Sequence, residues 1–252
     1  MIRLAAVGDV HVGTDSAGTL RPHLAHLPER ADLLLLAGDL TRLGRVEEAE
    51  VLAAELDGLG LPVVAVLGNH DHHADEVDKV VDVLEAAGVT MVDGAAAVFE
   101  VEGATVGVAG TKGFGGGFAG ACGSDFGEPE MKAFVAHTKA LAQQLEDTLA
   151  GLDTDYRVAL LHYAPVPETL QSERLEIYPF LGSYLLAEAI DRAGADLVLH
   201  GHAHGGSEKG VTPGGIHVRN VARPVIRQAY ALYCLGGAGG APTCEPELSR
   251  PL

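Results

Sequence analysis

Short apolar runs recur along this chain, and five of them end in the same kinds of side chain. Run 2–8 is followed by Asp9 and His11, and run 33–37 by Gly38 and Asp39. Run 63–67 leads into Gly68-Asn69-His70-Asp71, run 157–161 into His162, and run 196–200 into His202 and His204. Read as strands, these runs place acids, imidazoles and an amide at their carboxyl ends, where open α/β folds bind ligands. Chance explains one or two such placements; it explains five poorly.

Amphipathic segments separate the runs, which predicts a sheet covered by helices and an α/β fold class. Further strands are expected at 97–101, 104–110, 216–221 and 230–235, and helices near 18–30, 45–57, 75–87, 129–150 and 183–193. The helix near 75 reads as having an acidic first turn, Asp75 and Glu76, with Gly88 after its end. No internal repeat or domain boundary stands out. Residues 1–240 read as one domain, and 241–252, with Pro242, Pro246 and Pro251, as an unstructured tail.

The residue types fit one task. Divalent transition ions favour imidazole nitrogen together with carboxylate oxygen, and a single Asp can bridge two ions. Side chains alternate along a strand, so Asp9-x-His11 and His202-Ala-His204 each put two groups on one side of an extended chain. Gly38 and Gly68 give the backbone freedom to turn beside the ligands.

Asp9-x-His11, Gly38-Asp39, Gly68-Asn69-His70-Asp71, His162 and Gly201-His202-Ala-His204, in this order, resemble the calcineurin-like metallophosphoesterase superfamily. The resemblance spans residues 9 to 204; its motifs are weak singly and specific together. It implies a four-layer αββα sandwich of two mixed sheets flanked by helices, with the metal site at the carboxyl edge of the strands. It further implies that Asp9, His11 and His204 hold one divalent ion, that Asn69, His162 and His202 hold a second, and that Asp39 bridges them. A hydroxide shared by the ions would attack phosphorus in line, with His70 as the general acid. Mn, Fe, Zn, Co and Ni all suit such mixed donors.

Departures from the family pattern narrow the subclass. Relatives often carry a carboxylate three residues after the bridging Asp, in support of the acid histidine; Arg42 stands there here. Asn-His is followed by Asp71 and His72 rather than the Glu and Arg of protein phosphatases, which argues against that activity. Arg42, Asp71, His72 and Lys112 are candidate substrate contacts. His73 reads as a solvated loop residue, His137 as surface, and His200 as buried with a backbone partner or as support for the ligands. His217 and Asn220 carry no signal. Segment 111–127 is a Gly-rich loop, read either as a mobile loop near the site with Lys112, Phe114 and Phe118 touching substrate or as a floppy surface loop. Its Gly115-x-Gly117-x-x-Gly120 match to a dinucleotide fingerprint fails for want of a following helix and acid.

Net charge bears on the substrate. At −18 the chain repels polyanions and has no Lys/Arg track for a nucleic acid, whereas two bound ions would return about +4 at one point. The expectation is therefore hydrolysis of a small phosphorylated substrate, a phosphodiester or phosphomonoester, nucleotides included. A nuclease of single strands and a non-catalytic scaffold with the same fold are the alternatives. No apolar run reaches the roughly 18 residues of a membrane span. The absence of a signal peptide and the odd count of Cys122, Cys234 and Cys244, read as reduced thiols, point to the cytoplasm. Oligomeric state is not legible.

Overall fold

A computed structural model describes residues 1–236; the expectation for the tail at 241–252 lies outside the described residues. In chain order the strands are β1 (Ile2–Val7), β2 (Leu33–Ala37), β3 (Val63–Val66), β4 (Val89–Met91), β5 (Ala96–Val101), β6 (Ala104–Thr111) and β7 (Gly117–Phe118). They continue with β8 (Ala121–Cys122), β9 (Tyr156–Leu161), β10 (Leu197–His200), β11 (Lys209–Val211), β12 (His217–Asn220) and β13 (Ala231–Leu235). One sheet has the order β13-β1-β2-β3-β4 and the other β11-β12-β10-β9-β6-β5, while β7 and β8 pair as a small hairpin. Both sheets have parallel centres. Their antiparallel strands are β13 in the first and β5 and β11 in the second.

Strand alternation builds the layers. Leu33 and Leu35 of β2 join Leu4, Val64, Val108, Val158, Leu160 and Leu199 in a core between the two sheets. Leu34 and Leu36 point the other way and pack with Leu52, Val80 and Leu84 of helices Val46–Leu56 and Val77–Ala86. On the far side, Ala159 and Leu161 of β9 meet Leu145 and Leu149 of helix Pro129–Ala150 and Leu186 and Ile190 of helix Tyr184–Ala193. The result is the expected αββα sandwich. A strand buried on both faces needs an unbroken apolar run, which is why β2 reads Leu33-Leu-Leu-Leu-Ala37. Each fully buried Leu contributes about 1.5–3 kcal/mol.

Several expectations need correction. Segment 18–30 is two four-residue turns, Arg21–Leu24 and Leu27–Arg30, rather than one helix. Pro28 has no N–H for the carbonyl of Leu24, and its ring crowds that turn. The helix near 75 begins at Val77 with Asp78 in its first turn; Asp75 lies before the helix, in left-handed backbone with a φ of 56°. Strands β4 and β11 and the β7–β8 hairpin went unread: they are short, and β11 alternates exposed, buried, exposed at a sheet edge. Cys234 is disulfide-bonded, so the reduced-thiol reading fails there, although Cys122 is free and exposed. The cysteines therefore no longer argue for a reducing compartment. Among the described residues, no helix is long and apolar enough to cross a membrane.

Candidate metal centre

The carboxyl ends of β1, β2, β3, β9 and β10 meet at one edge of the sandwich. Asp9, His11, Asp39 and His204 each offer one ligand atom, all within 4.8 Å of one another, and Asp39, His162 and His202 form a second such group. Asp39 belongs to both. Asn69 stands at the second group, its Oδ1 3.0 Å from His162 Nε2. All seven residues singled out as ligands in the sequence are thus brought together.

Their hydrogen bonds show that the arrangement suits cations. His162 Nδ1 donates to the Ala37 carbonyl at 2.9 Å. Complete burial holds the His162 pKa well below 6.5, so the ring is neutral and its Nε2 carries a lone pair. That lone pair faces Asn69 Oδ1 at 3.0 Å and Asp39 Oδ1 at 3.3 Å. Three electron-rich atoms converging without a proton repel one another; a cation among them removes the repulsion. His11 Nε2 is buried with no hydrogen-bond partner among the described residues, 3.7 Å from Asp39 Oδ2, and burial pushes its pKa down to about 4. Burial, with His162 beside it, pushes His202 down to about 3. His204 differs, because its bond to Asp9 Oδ1 at 2.8 Å raises its pKa. The donor set therefore fits a pair of divalent ions, which favour neutral imidazoles and carboxylates.

The backbone that aims these groups is not extended, which corrects the strand-alternation argument for Asp9-x-His11 and for His202-Ala-His204. β1 and β10 end at Val7 and His200. Asp9, His11, Asp39 and His202 all have left-handed φ, at 58°, 45°, 49° and 69°. Such backbone in non-glycine residues is costly and is retained at sites where surrounding structure enforces it. Tight turns follow β10: Ala203 N–H donates to Gly201 O at 2.8 Å and His204 N–H to His202 O at 3.0 Å. The two imidazoles consequently serve different groups. Gly38 does supply positive φ, at 80°, and a Cβ there would come within 2.5 Å of His162 Nδ1. Gly68 is needed for space instead, since a Cβ would fall on the carboxylate and backbone nitrogen of Asp39.

His70 borders this centre. Its N–H donates to Asp39 Oδ1 at 2.8 Å, its Nε2 lies 4.0 Å from Asp39 Oδ2, and its side chain is 43% exposed. Its Nδ1 bonds the carbonyl of Arg42 at 2.7 Å. The residue that replaces the family carboxylate thus supports His70 through its main chain. The Arg42 guanidinium turns away to Asp15, 2.8 Å distant, which does not favour its reading as a substrate contact.

Other candidates divide. Asp71 is fully buried, so it cannot touch substrate. Its carboxylate accepts from Leu40 N, Thr41 N, Thr41 Oγ1 and Gly68 N at 2.6–3.1 Å, and it joins the loops after β2 and β3. Burial nevertheless raises its pKa to about 6. His72 and Lys112 line a cleft of about 450 Å³ with Leu67, Asp93 and His137. His137 is exposed, as read, and its ring sits 4.9 Å from Phe114. Phe118 is 2% exposed and packs with Leu170 and Leu181, so it does not reach substrate. The Gly-rich segment is tied to a neighbouring loop: Gly116 N–H donates to Pro179 O and Gly117 N–H to Gly182 O, both at 2.7 Å.

Some supporting residues escaped sequence reading. Asn220, at the end of β12, donates to Ala203 O at 2.8 Å and so holds the residue between the two imidazoles. Its place at a sixth strand end was the available signal. His200, by contrast, is buried with a backbone partner as read, bonded to Gly201 O at 2.7 Å and also to Thr169 Oγ1 at 2.9 Å. Tyr163 lies against His202 with ring centroids 4.3 Å apart, and only its position beside His162 hinted at this.

The fold is shared with solved structures at low identity. Phosphopantetheinyl hydrolase from Mycobacterium tuberculosis aligns at 18% identity over 87% of this chain and 88% of its own, with a TM-score of 0.61. TT1561 of Thermus thermophilus aligns at 19% identity over 92% and 93%, with a TM-score of 0.59. A candidate 5′-nucleotidase from Staphylococcus aureus aligns at 18% identity over 87% of this chain and 48% of its own, with a TM-score of 0.56. No curated protein matches the chain in sequence. The calcineurin-like phosphoesterase pattern matches residues 2–206, including every residue of the two donor groups, so the chain belongs to that family and is a phosphoric ester hydrolase.

Proposed function

We propose that this chain hydrolyses a phosphate ester of a small molecule at a binuclear centre, with Asp39 as the bridging ligand. Asp9, His11 and His204 hold one ion, and Asn69, His162 and His202 the other. Two divalent ions, when bound, supply an activated water and neutralise charge on the phosphoryl oxygens. The observation that carries this reading is that Asp39 is common to both donor groups.

The chain's own groups then have distinct tasks. Asp39 holds the His70 backbone through Oδ1 and keeps the ring at the edge of the centre. With Nδ1 committed to the Arg42 carbonyl, His70 Nε2 is the nitrogen free to carry a proton to the leaving oxygen. Asp71 fixes the two loops that bear Asp39 and Asn69. A net charge of −18 disfavours long nucleic acids, and the name of one similar structure, a candidate 5′-nucleotidase, is that of an enzyme acting on a small phosphate ester.

The test is turnover by the Mn2+-loaded protein of 4-nitrophenyl phosphate beside bis(4-nitrophenyl) phosphate. Hydrolysis of either supports the reading, and their ratio assigns monoester or diester preference. No turnover of either ester with any of Mn, Fe, Zn, Co or Ni overturns it.

A further inference from the structure

One cation near the centre has no ion-pair partner among the described residues. Lys112 follows β6 and is half-buried. Its Nζ makes a 3.4 Å hydrogen bond to the Gly113 carbonyl and lies 5.0 Å and 5.2 Å from the ring centroids of Phe114 and Tyr163. The acid nearest in the cleft, Asp93, has its two oxygens 2.7 Å from the backbone N–H groups of Leu67 and Lys112, so it anchors the main chain.

The cleft opens beside the metal centre. Leu67 and His72 line it and bracket Asn69 and His70 in sequence, and the Lys112 carbonyl accepts from the N–H groups of His162 at 3.2 Å and Tyr163 at 3.0 Å. His72 and His137 share its wall with Lys112. Each imidazole carries at least one ring N–H to donate, whatever its charge. A half-buried ammonium flanked by two such donors is matched by an anion with several acceptor oxygens.

We propose that this cleft is a subsite for a second phosphate of the substrate, held by Lys112, His72 and His137 while the scissile phosphate lies at the metal centre. The inference rests on the phosphoesterase reading above. It makes the preferred substrate class a small molecule bearing two separate phosphate groups. Loss of the ammonium removes a charge-assisted contact, which corresponds to about a tenfold change in apparent affinity.

The experiment uses straight-chain diols of increasing length, each as its monophosphate and its bisphosphate, with phosphate release by the Mn2+-loaded protein. The wild type is expected to prefer the bisphosphate in kcat/KM by about tenfold at one chain length, after allowance for its two equivalent esters. In Lys112→Met that preference collapses towards one, and Lys112→Arg restores part of it. Turnover without a bisphosphate preference at any length overturns the subsite while leaving the phosphoesterase reading intact. So does a preference that survives Lys112→Met. If no phosphate ester turns over, both fall together.

Discussion

His70 Nδ1 bonds the main-chain carbonyl of Arg42 at 2.7 Å, and the Arg42 side chain is paired elsewhere, with Asp15. A carbonyl fixes the tautomer and the ring plane, as a carboxylate would, but adds no negative charge. His70→Ala should therefore lower kcat by about a hundred- to ten-thousand-fold without emptying the metal centre. Arg42→Ala should change kcat by less than about fivefold, because an exposed ion pair contributes little and the carbonyl remains. Parallel kcat and metal-content measurements check this; a collapse of kcat in Arg42→Ala would show that the guanidinium acts in the site.

Asp71 takes four donors with one buried carboxylate. Asp71→Ala strands them and should cost about 3–5 kcal/mol of stability. Denaturant unfolding of the metal-free protein reads that loss directly. Near-wild-type unfolding of this variant would remove the bracing role.

Gly68 lies where a methyl group would strike the Asp39 carboxylate. Gly68→Ala should lower the affinity of both ions together, since Asp39 is common to the two groups. Titration with Mn2+ would reveal it. Independent weakening of one ion would contradict the shared role.

Glu55 provides a pH test away from the metals. Burial alone would raise its pKa, but the N–H groups of Arg21, Gly18 and Leu20 outweigh it and the net shift is downward. A depressed folded-state value means the stabilisation is present above the unfolded value near 4.5 and fades as pH falls through the folded one. Glu55→Gln should lower Tm at neutral pH, with the gap to wild type closing in acid. A gap constant across pH would exclude this linkage.

How much of this was legible in the sequence depended on the range of the interaction. β1, β2, β3, β9 and β10 announced themselves because strands buried on both faces need continuous apolar runs. The ligands after them could be read because five strand ends carried one chemistry. The turns that aim Asp9 and His202 could not, since left-handed φ in a non-glycine residue is imposed by tertiary neighbours and leaves no local mark. Asp71 looked like a site residue by adjacency, yet its four donors come from a loop about thirty residues away and from its own turn, visible only once folded. The Arg42 carbonyl is a main-chain group, and no side-chain motif could have named it.

One carboxylate serving two cations is the feature on which the rest of the site depends. Inductively coupled plasma mass spectrometry of Mn2+-loaded protein, after removal of free metal, measures this directly in wild type and Asp39→Asn. Two ions per chain in the wild type and loss of both in the variant are predicted from the two donor groups that share Asp39. Retention of both ions by a folded Asp39→Asn protein, or fewer than two in the wild type under saturating Mn2+, would contradict it.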